Sequence, residues 1–210
     1  MAWLLGIGLP IVGALSLLAV DKRTKSFVRY QIFTLLAAIA ISAIALAASP
    51  NPSIYKLGDI IAPAENFIGA SYGAFTLIAF VVTSLVVYLQ VVKGKDVNNS
   101  LLFRFAIIAL PLSAMNALTE ELIFRAAIVQ SLSAIAEPLL VAIIAGITFG
   151  IPHYFGNPGK LPGVVMATFL GVIAAQSVFD TGGLGWAWIM HFVQDVPIIT
   201  MLLLSGVKKA

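Results

Sequence analysis

The chain contains no cysteine in 210 residues. Disulfides, thiolate metal sites and a cysteine nucleophile are therefore excluded. Charge is scarce as well, at 10% of residues, and histidine occurs only twice. A soluble globule of this length needs a wet exterior that so few charges cannot supply. The net charge of +3 is no signal for nucleic acid, because the basic residues are spread between apolar runs rather than massed in one patch. The ~10-residue alternation of a membrane β-barrel is also missing.

What is present is hydrophobicity, 60% of the chain, gathered into long runs. A helix that crosses a bilayer needs ~20 apolar residues. Runs of that kind fall at 2–20, 30–48, 67–92, 101–134, 138–153, 161–179 and 185–206. Backbone groups in lipid must be satisfied within the segment, so these runs are expected to be helices. The fold class expected is all-α, a polytopic membrane bundle of about seven to eight transmembrane helices. Residues 1–210 read as a single membrane domain, with 1–100 as scaffold spans and 101–205 as the functional core. The first run lacks a basic stretch before it and a clear small-residue cleavage site, so it reads as a retained span.

The basic residues alternate with the runs. Lys22, Arg23, Lys25 and Arg29 follow the first; Lys93, Lys95 and Arg104 the third; Lys160 the fifth; Lys208 and Lys209 the last. The other side holds Lys56, Asp59, Glu65, Glu137 and Asp180. The bias places the N-terminus outside and the C-terminus in the cytoplasm of a multi-pass protein of the cell membrane. Pro111 interrupts the longest run. A proline removes a helix hydrogen bond, and a break there is expected to make 101–112 a separate shallow segment. Without such a break, Glu120 would lie ~30 Å from Leu101, too far across the membrane to meet His153.

The span interiors hold few ionisable groups, and these are confined to residues 119–195. A charge in hydrocarbon is costly, so each is a candidate functional residue. Glu120-Glu121-Leu122-Ile123-Phe124-Arg125 sets Glu121 and Arg125 four apart, on one helix face, as an ion pair. Glu120 is rotated ~100° from that pair. Phe149-Gly150-Ile151-Pro152-His153 stacks an aromatic ring over a histidine, and His191-Phe192-Val193-Gln194-Asp195 places a histidine and a carboxylate one turn apart. A carboxylate with an imidazole can act on water as a general base and later protonate a leaving amine. Peptide hydrolysis also needs donors aimed at the developing oxyanion.

Glu-Glu-x-x-x-Arg, then Phe-x-x-x-His, then His-x-x-x-Asp, on successive apolar segments, resembles the CAAX protease and bacteriocin-processing family. That family includes type II prenyl-protein endopeptidases and bacterial bacteriocin-immunity proteins. The resemblance covers roughly residues 101–200. It implies an intramembrane glutamate-dependent endopeptidase with no cofactor, acting on a membrane-associated peptide or a prenylated-type protein tail. It further implies that Glu120 and His153 activate water, that Glu121 and Arg125 hold the site together, and that His191 and Asp195 line the oxyanion side. Ala126 stands where the family usually has glycine, and Asp195 where the better-studied eukaryotic-type enzymes have asparagine.

Other readings stand beside this one. Glu121 and Arg125 can be an architectural pair that fixes helix register. Asp195 can serve only to orient His191 and fix its tautomer. His153, His191 and Glu120 can be read as a zinc set, although His-Glu-x-x-His is absent. A non-catalytic membrane immunity or scaffold protein would keep the same motifs for binding. A proton-coupled transporter would also bury acids and histidines, but its polar groups would occupy both halves. Gly69-Ala70-Ser71-Tyr72-Gly73 mimics a serine-nucleophile string, but small residues in membrane helices are normally packing contacts. Asp180-Thr181-Gly182 mimics an aspartic-protease triplet but has no second carboxylate beside it, and reads as a turn. Asn98-Asn99-Ser100, a formal glycosylation sequon, falls on the expected cytoplasmic side.

Overall fold

The computed structural model describes residues 27–48, 55–61, 71–94, 99–156 and 158–205. Within them, six helices are long and apolar enough to cross a membrane. Helix α1 spans Phe27–Ala48. Helix α2 spans Tyr72–Val87 and runs on as a π-helical turn, Tyr88–Val92. Helix α3 spans Asn99–Glu121, widens into a π-helical stretch at Leu122–Ala127 and closes with an α-helical turn at Ile128–Leu132. Helix α4 spans Pro138–Gly150 and tightens into a 3-10 turn at Ile151–Phe155. Helix α5 spans Lys160–Thr181 and α6 spans Gly185–Ser205. The architecture is all-helical and polytopic, as the apolar runs predict. The expected span at 2–20 lies outside the described residues.

The distribution of polarity is inverted relative to a soluble protein. Phe103 is 69% exposed and Leu36 61%, while Glu121 and Arg125 are both 0% exposed. Apolar side chains face outward because the surrounding solvent is lipid, and ionisable ones turn inward where they find partners.

Helix ends follow local chemistry. Ser71 caps α2, its Oγ accepting from the Ala74 amide at 3.2 Å. The serine string therefore contributes a helix cap at this position. Pro138 starts α4, where its missing N–H costs nothing. Gly182 closes α5 with φ of 69°, a left-handed conformation that glycine adopts freely. Asp180 accepts hydrogen bonds from Tyr72 Oη and from Gln176 Nε2, so the aspartate triplet ties α5 to α2. The segment 55–61 clips the turn between α5 and α6: the amides of Leu184 and Gly185 donate to the carbonyls of Lys56 and Leu57, each at 2.8 Å.

Helix α6 lies at the centre, packed against α2, α3 and α5. Helix α4 lies along α5, and α1 along α3. The α4–α5 approach depends on small residues: a Cβ on Gly171 would stand 2.8 Å from Gly146 Cα. Membrane helices associate closely at such contacts.

The expected break at Pro111 does not occur. Pro111 sits inside continuous α3. A membrane helix tolerates an internal proline when neighbouring groups compensate locally. Nearby, Gln31 Nε2 of α1 ties α1 to α3 by donating to the Leu112 carbonyl at 2.8 Å, a group distinct from the Ile107 carbonyl that Pro111 leaves without its helical donor. The depth conflict also disappears. Residues 99–132 form a 34-residue helix, ~51 Å long against a ~30 Å hydrocarbon core. The relevant origin is the turn at 133–137, shared by α3 and α4, and not Leu101. From that turn Glu120 lies ~18 Å along α3 and His153 roughly 20 Å along α4, so the two reach the same level.

Candidate active site

The site forms where α3, α4 and α6 meet. Glu121 is at its base. Its Oε1 lies 3.1 Å from Arg125 Nη1 and accepts a hydrogen bond from His191 Nδ1 at 2.7 Å. A carboxylate in this pairing accepts, so His191 carries its hydrogen on Nδ1. Glu121, and not Asp195, therefore fixes the His191 tautomer. This corrects the orienting role considered for Asp195.

Arg125 is enclosed. Its guanidinium carbon stands 4.2 Å above the Phe149 ring, a cation–π contact made in a desolvated setting. The ion pair falls at the junction where α3 passes from α to π geometry. Such single-turn widenings often occur at functional sites, because they re-aim side chains without ending the helix.

Glu120 and Glu121 converge rather than diverge. Glu120 Oε2 lies 3.7 Å from His191 Nε2, while Glu121 Oε1 holds the opposite ring nitrogen. The ~100° offset between neighbours on a helix is bridged by the length of two glutamate side chains, which reach the two edges of one imidazole. Asp195 Oδ1 lies 3.6 Å from the same Nε2. His191 is thus surrounded by three carboxylates. The contacts at Nε2 exceed direct hydrogen-bond length. Glu120 is the more open glutamate: its side chain is 16% exposed, against 0% for Glu121.

His153 is held differently. Its Nδ1 lies 2.8 Å from the Phe149 carbonyl. A carbonyl only accepts, so Nδ1 carries the hydrogen and Nε2 is left as an acceptor. The expected carboxylate partner of His153 is therefore replaced by a backbone carbonyl. The Phe149 ring organises the whole cluster. It lies 4.6 Å from His153, 5.2 Å from His191 and 5.2 Å from Phe124, centroid to centroid.

A cavity of about 190 Å³ opens beside these groups. His153, His191 and Asp195 form its polar edge, and α2 and α5 contribute apolar walls that include Phe75, Val82 and Phe169. Among the described residues, no three His, Asp or Glu side chains are grouped so as to hold a metal ion. The zinc set His153, His191 and Glu120 is not assembled in this arrangement.

One residue of the cluster was not anticipated. Asn116 Nδ2 donates to Glu120 Oε1 and to Asp195 Oδ2, each at 3.0 Å. Its signal in the sequence is a neutral amide one turn ahead of Glu120, on the same helix face. Asp195 thereby acts as an acceptor here, which does not suit direct donation to an oxyanion.

No curated protein and no solved structure matches this chain. A family model does match, over the stretch that carries every side chain of the cluster just described. That stretch, residues 101–197, matches the family model of the Rce1-like type II CAAX prenyl endopeptidases.

Proposed function

We propose that the chain is an intramembrane endopeptidase that cleaves a peptide bond in a membrane-associated tail, prenylated or otherwise lipid-linked, using water activated by Glu120 and His153. The family match over residues 101–197 supports a membrane endopeptidase of the CAAX type. The observation that carries the finer reading is the contrast within the Glu120–Glu121 pair. Glu121 is sealed between Arg125 and His191, while Glu120 is partly open and bonded only at one oxygen, to Asn116.

In this reading a water donates one hydrogen toward His153 Nε2 and gives up the other proton to Glu120. Its oxygen forms a bond to the scissile carbonyl carbon. The carbon–nitrogen bond then breaks, and Glu120 returns the proton to the leaving amine. His191, gripped at Nδ1 by Glu121, presents Nε2 to the same space and, when protonated, donates to the developing oxyanion. Asp195 supports His191 from one turn away. Helices α1 and α2 act as scaffold. The apolar cavity walls suit a substrate whose tail is itself apolar, and the basic-residue bias places the opening toward the cytoplasm.

The test uses purified protein in lipid vesicles with a farnesylated CAAX peptide as probe. Glu120→Gln and His153→Ala should each lower cleavage by ~10²–10⁴-fold and leave thermal stability near wild type. Wild-type rates in both would end the reading. A chelator should leave the rate unchanged; its loss on chelation would favour the zinc route. Full biological rescue by Glu120→Gln would favour a non-catalytic scaffold.

A further inference from the structure

Asn116 lies between two carboxylates on different helices. Glu120 belongs to α3 and Asp195 to α6, and a single amide nitrogen donates to both. Both N–H groups of that nitrogen are used, since each carboxylate oxygen accepts one. We propose that Asn116 is a positioning residue, which fixes the separation of Glu120 and Asp195 and aims the free oxygen of Glu120 at the His191 edge of the site.

The physical argument begins with the problem that the amide solves. Glu120 and Asp195 both approach His191 Nε2, at 3.7 and 3.6 Å. Two carboxylates so close, with one imidazole edge between them, compete for that edge, and a direct contact between them requires a shared proton. An amide NH₂ group satisfies an acceptor on each, so neither must take up a proton to bond its neighbour. It also occupies Glu120 Oε1 and leaves Oε2 as the oxygen that faces His191. No other side-chain type of this size does both: an aspartate here would add a third acceptor, and a leucine would satisfy neither oxygen.

The inference rests on the reading of Glu120 as the base, and the tests separate the two. Asn116→Asp changes little in volume but replaces the donor with an acceptor. It should lower kcat by at least ~10²-fold with KM within threefold, because the apolar cavity walls are untouched. Asn116→Gln, which keeps the NH₂ donor on a side chain one methylene longer, should retain at least tenfold more kcat than Asn116→Asp. A role in packing alone would favour the isosteric aspartate over the longer glutamine. Melting temperatures of all variants identify any that fail to fold, and Asn116→Ser, small and still a donor, serves in their place with an intermediate kcat expected. If Glu120→Gln is inactive while folded Asn116→Asp or Asn116→Ser keeps wild-type kcat, the positioning role is wrong and the base assignment stands. If Glu120→Gln itself remains active, the base assignment falls, and the positioning role falls with it. Folded Asn116→Gln no better than folded Asn116→Asp overturns the positioning role.

Discussion

Among the described residues, helices α1 and α2 bury neutral polar groups alone, whereas α3 and α6 also bury Glu121, Arg125, His191 and Asp195, and the two pairs of helices use them for different ends. In α1, Gln31, Thr34 and Ser42 donate to main-chain carbonyls. Thr76 of α2 does the same. These bonds fasten one helix to another or a side chain to its own helix. Around the buried charges of α3 and α6 the contacts run from side chain to side chain: Asn116 to Glu120 and Asp195, His191 to Glu121, Arg125 beside Glu121. A carbonyl can be satisfied wherever a helix passes. A carboxylate in lipid requires particular partners in particular places, so its presence fixes several helices at once. The comparison therefore separates groups that secure the bundle from groups that shape a reaction site, and substitutions can press on each separately.

The largest effect expected is on turnover at Glu120 and His153, the ~10²–10⁴-fold losses already stated, without loss of fold. Next comes Arg125→Met. It leaves Glu121 buried with His191 as its remaining partner and should cost ~3–5 kcal/mol of stability, read as the midpoint of unfolding in mild detergent. The paired change Glu121→Leu with Arg125→Met sharpens the comparison. It removes both charges, so stability should return toward wild type, while cleavage stays lost because His191 has lost its Nδ1 acceptor. A pair that served only architecture would recover both. Gly146→Ala presses on packing alone. The added Cβ would meet Thr168 O at 2.8 Å, and a cost of ~1–3 kcal/mol is expected, with kcat unchanged in the folded fraction. Ser42→Ala should have the smallest effect. It removes the bond to the Leu122 carbonyl, which in a membrane is worth ~0.6 kcal/mol.

Much of the fold could be read from the sequence because lipid leaves few alternatives. An apolar run of sufficient length becomes a helix, and six of the seven expected spans coincide with described helices. The principal chemical groups were legible for a related reason: in a chain with so few buried charges, each is conspicuous. What escaped was relational. Asn116 is neutral and resembles an ordinary polar residue until Asp195 is placed opposite it, 79 positions later. The gripping of one imidazole by two adjacent glutamates depends on side-chain reach, which helical angles alone do not convey. Pro111 suggests a break, yet α3 runs on through it, because a packed membrane helix can re-satisfy the one carbonyl that a proline frees. The vertical origin of the site was misplaced because helix length was counted from the wrong end. These are matters of which surfaces meet, and one-dimensional patterns do not record them.

The π-helical stretch Leu122–Ala127 has a consequence for how α3 tolerates change in length. A π turn holds more residues than an α turn, so deletion of one residue there could be absorbed by reversion to ordinary α-helix. Everything beyond would then keep its facing, because the π stretch already holds the extra residue within one turn. Ile128, Val129 and Leu132, all buried, would stay against their present neighbours, and only the side chains inside the stretch would be re-aimed. The stretch thus works as a length buffer: it takes up one residue while the half of α3 that carries the carboxylates and the half that packs into the bundle keep their mutual orientation along one uninterrupted rod.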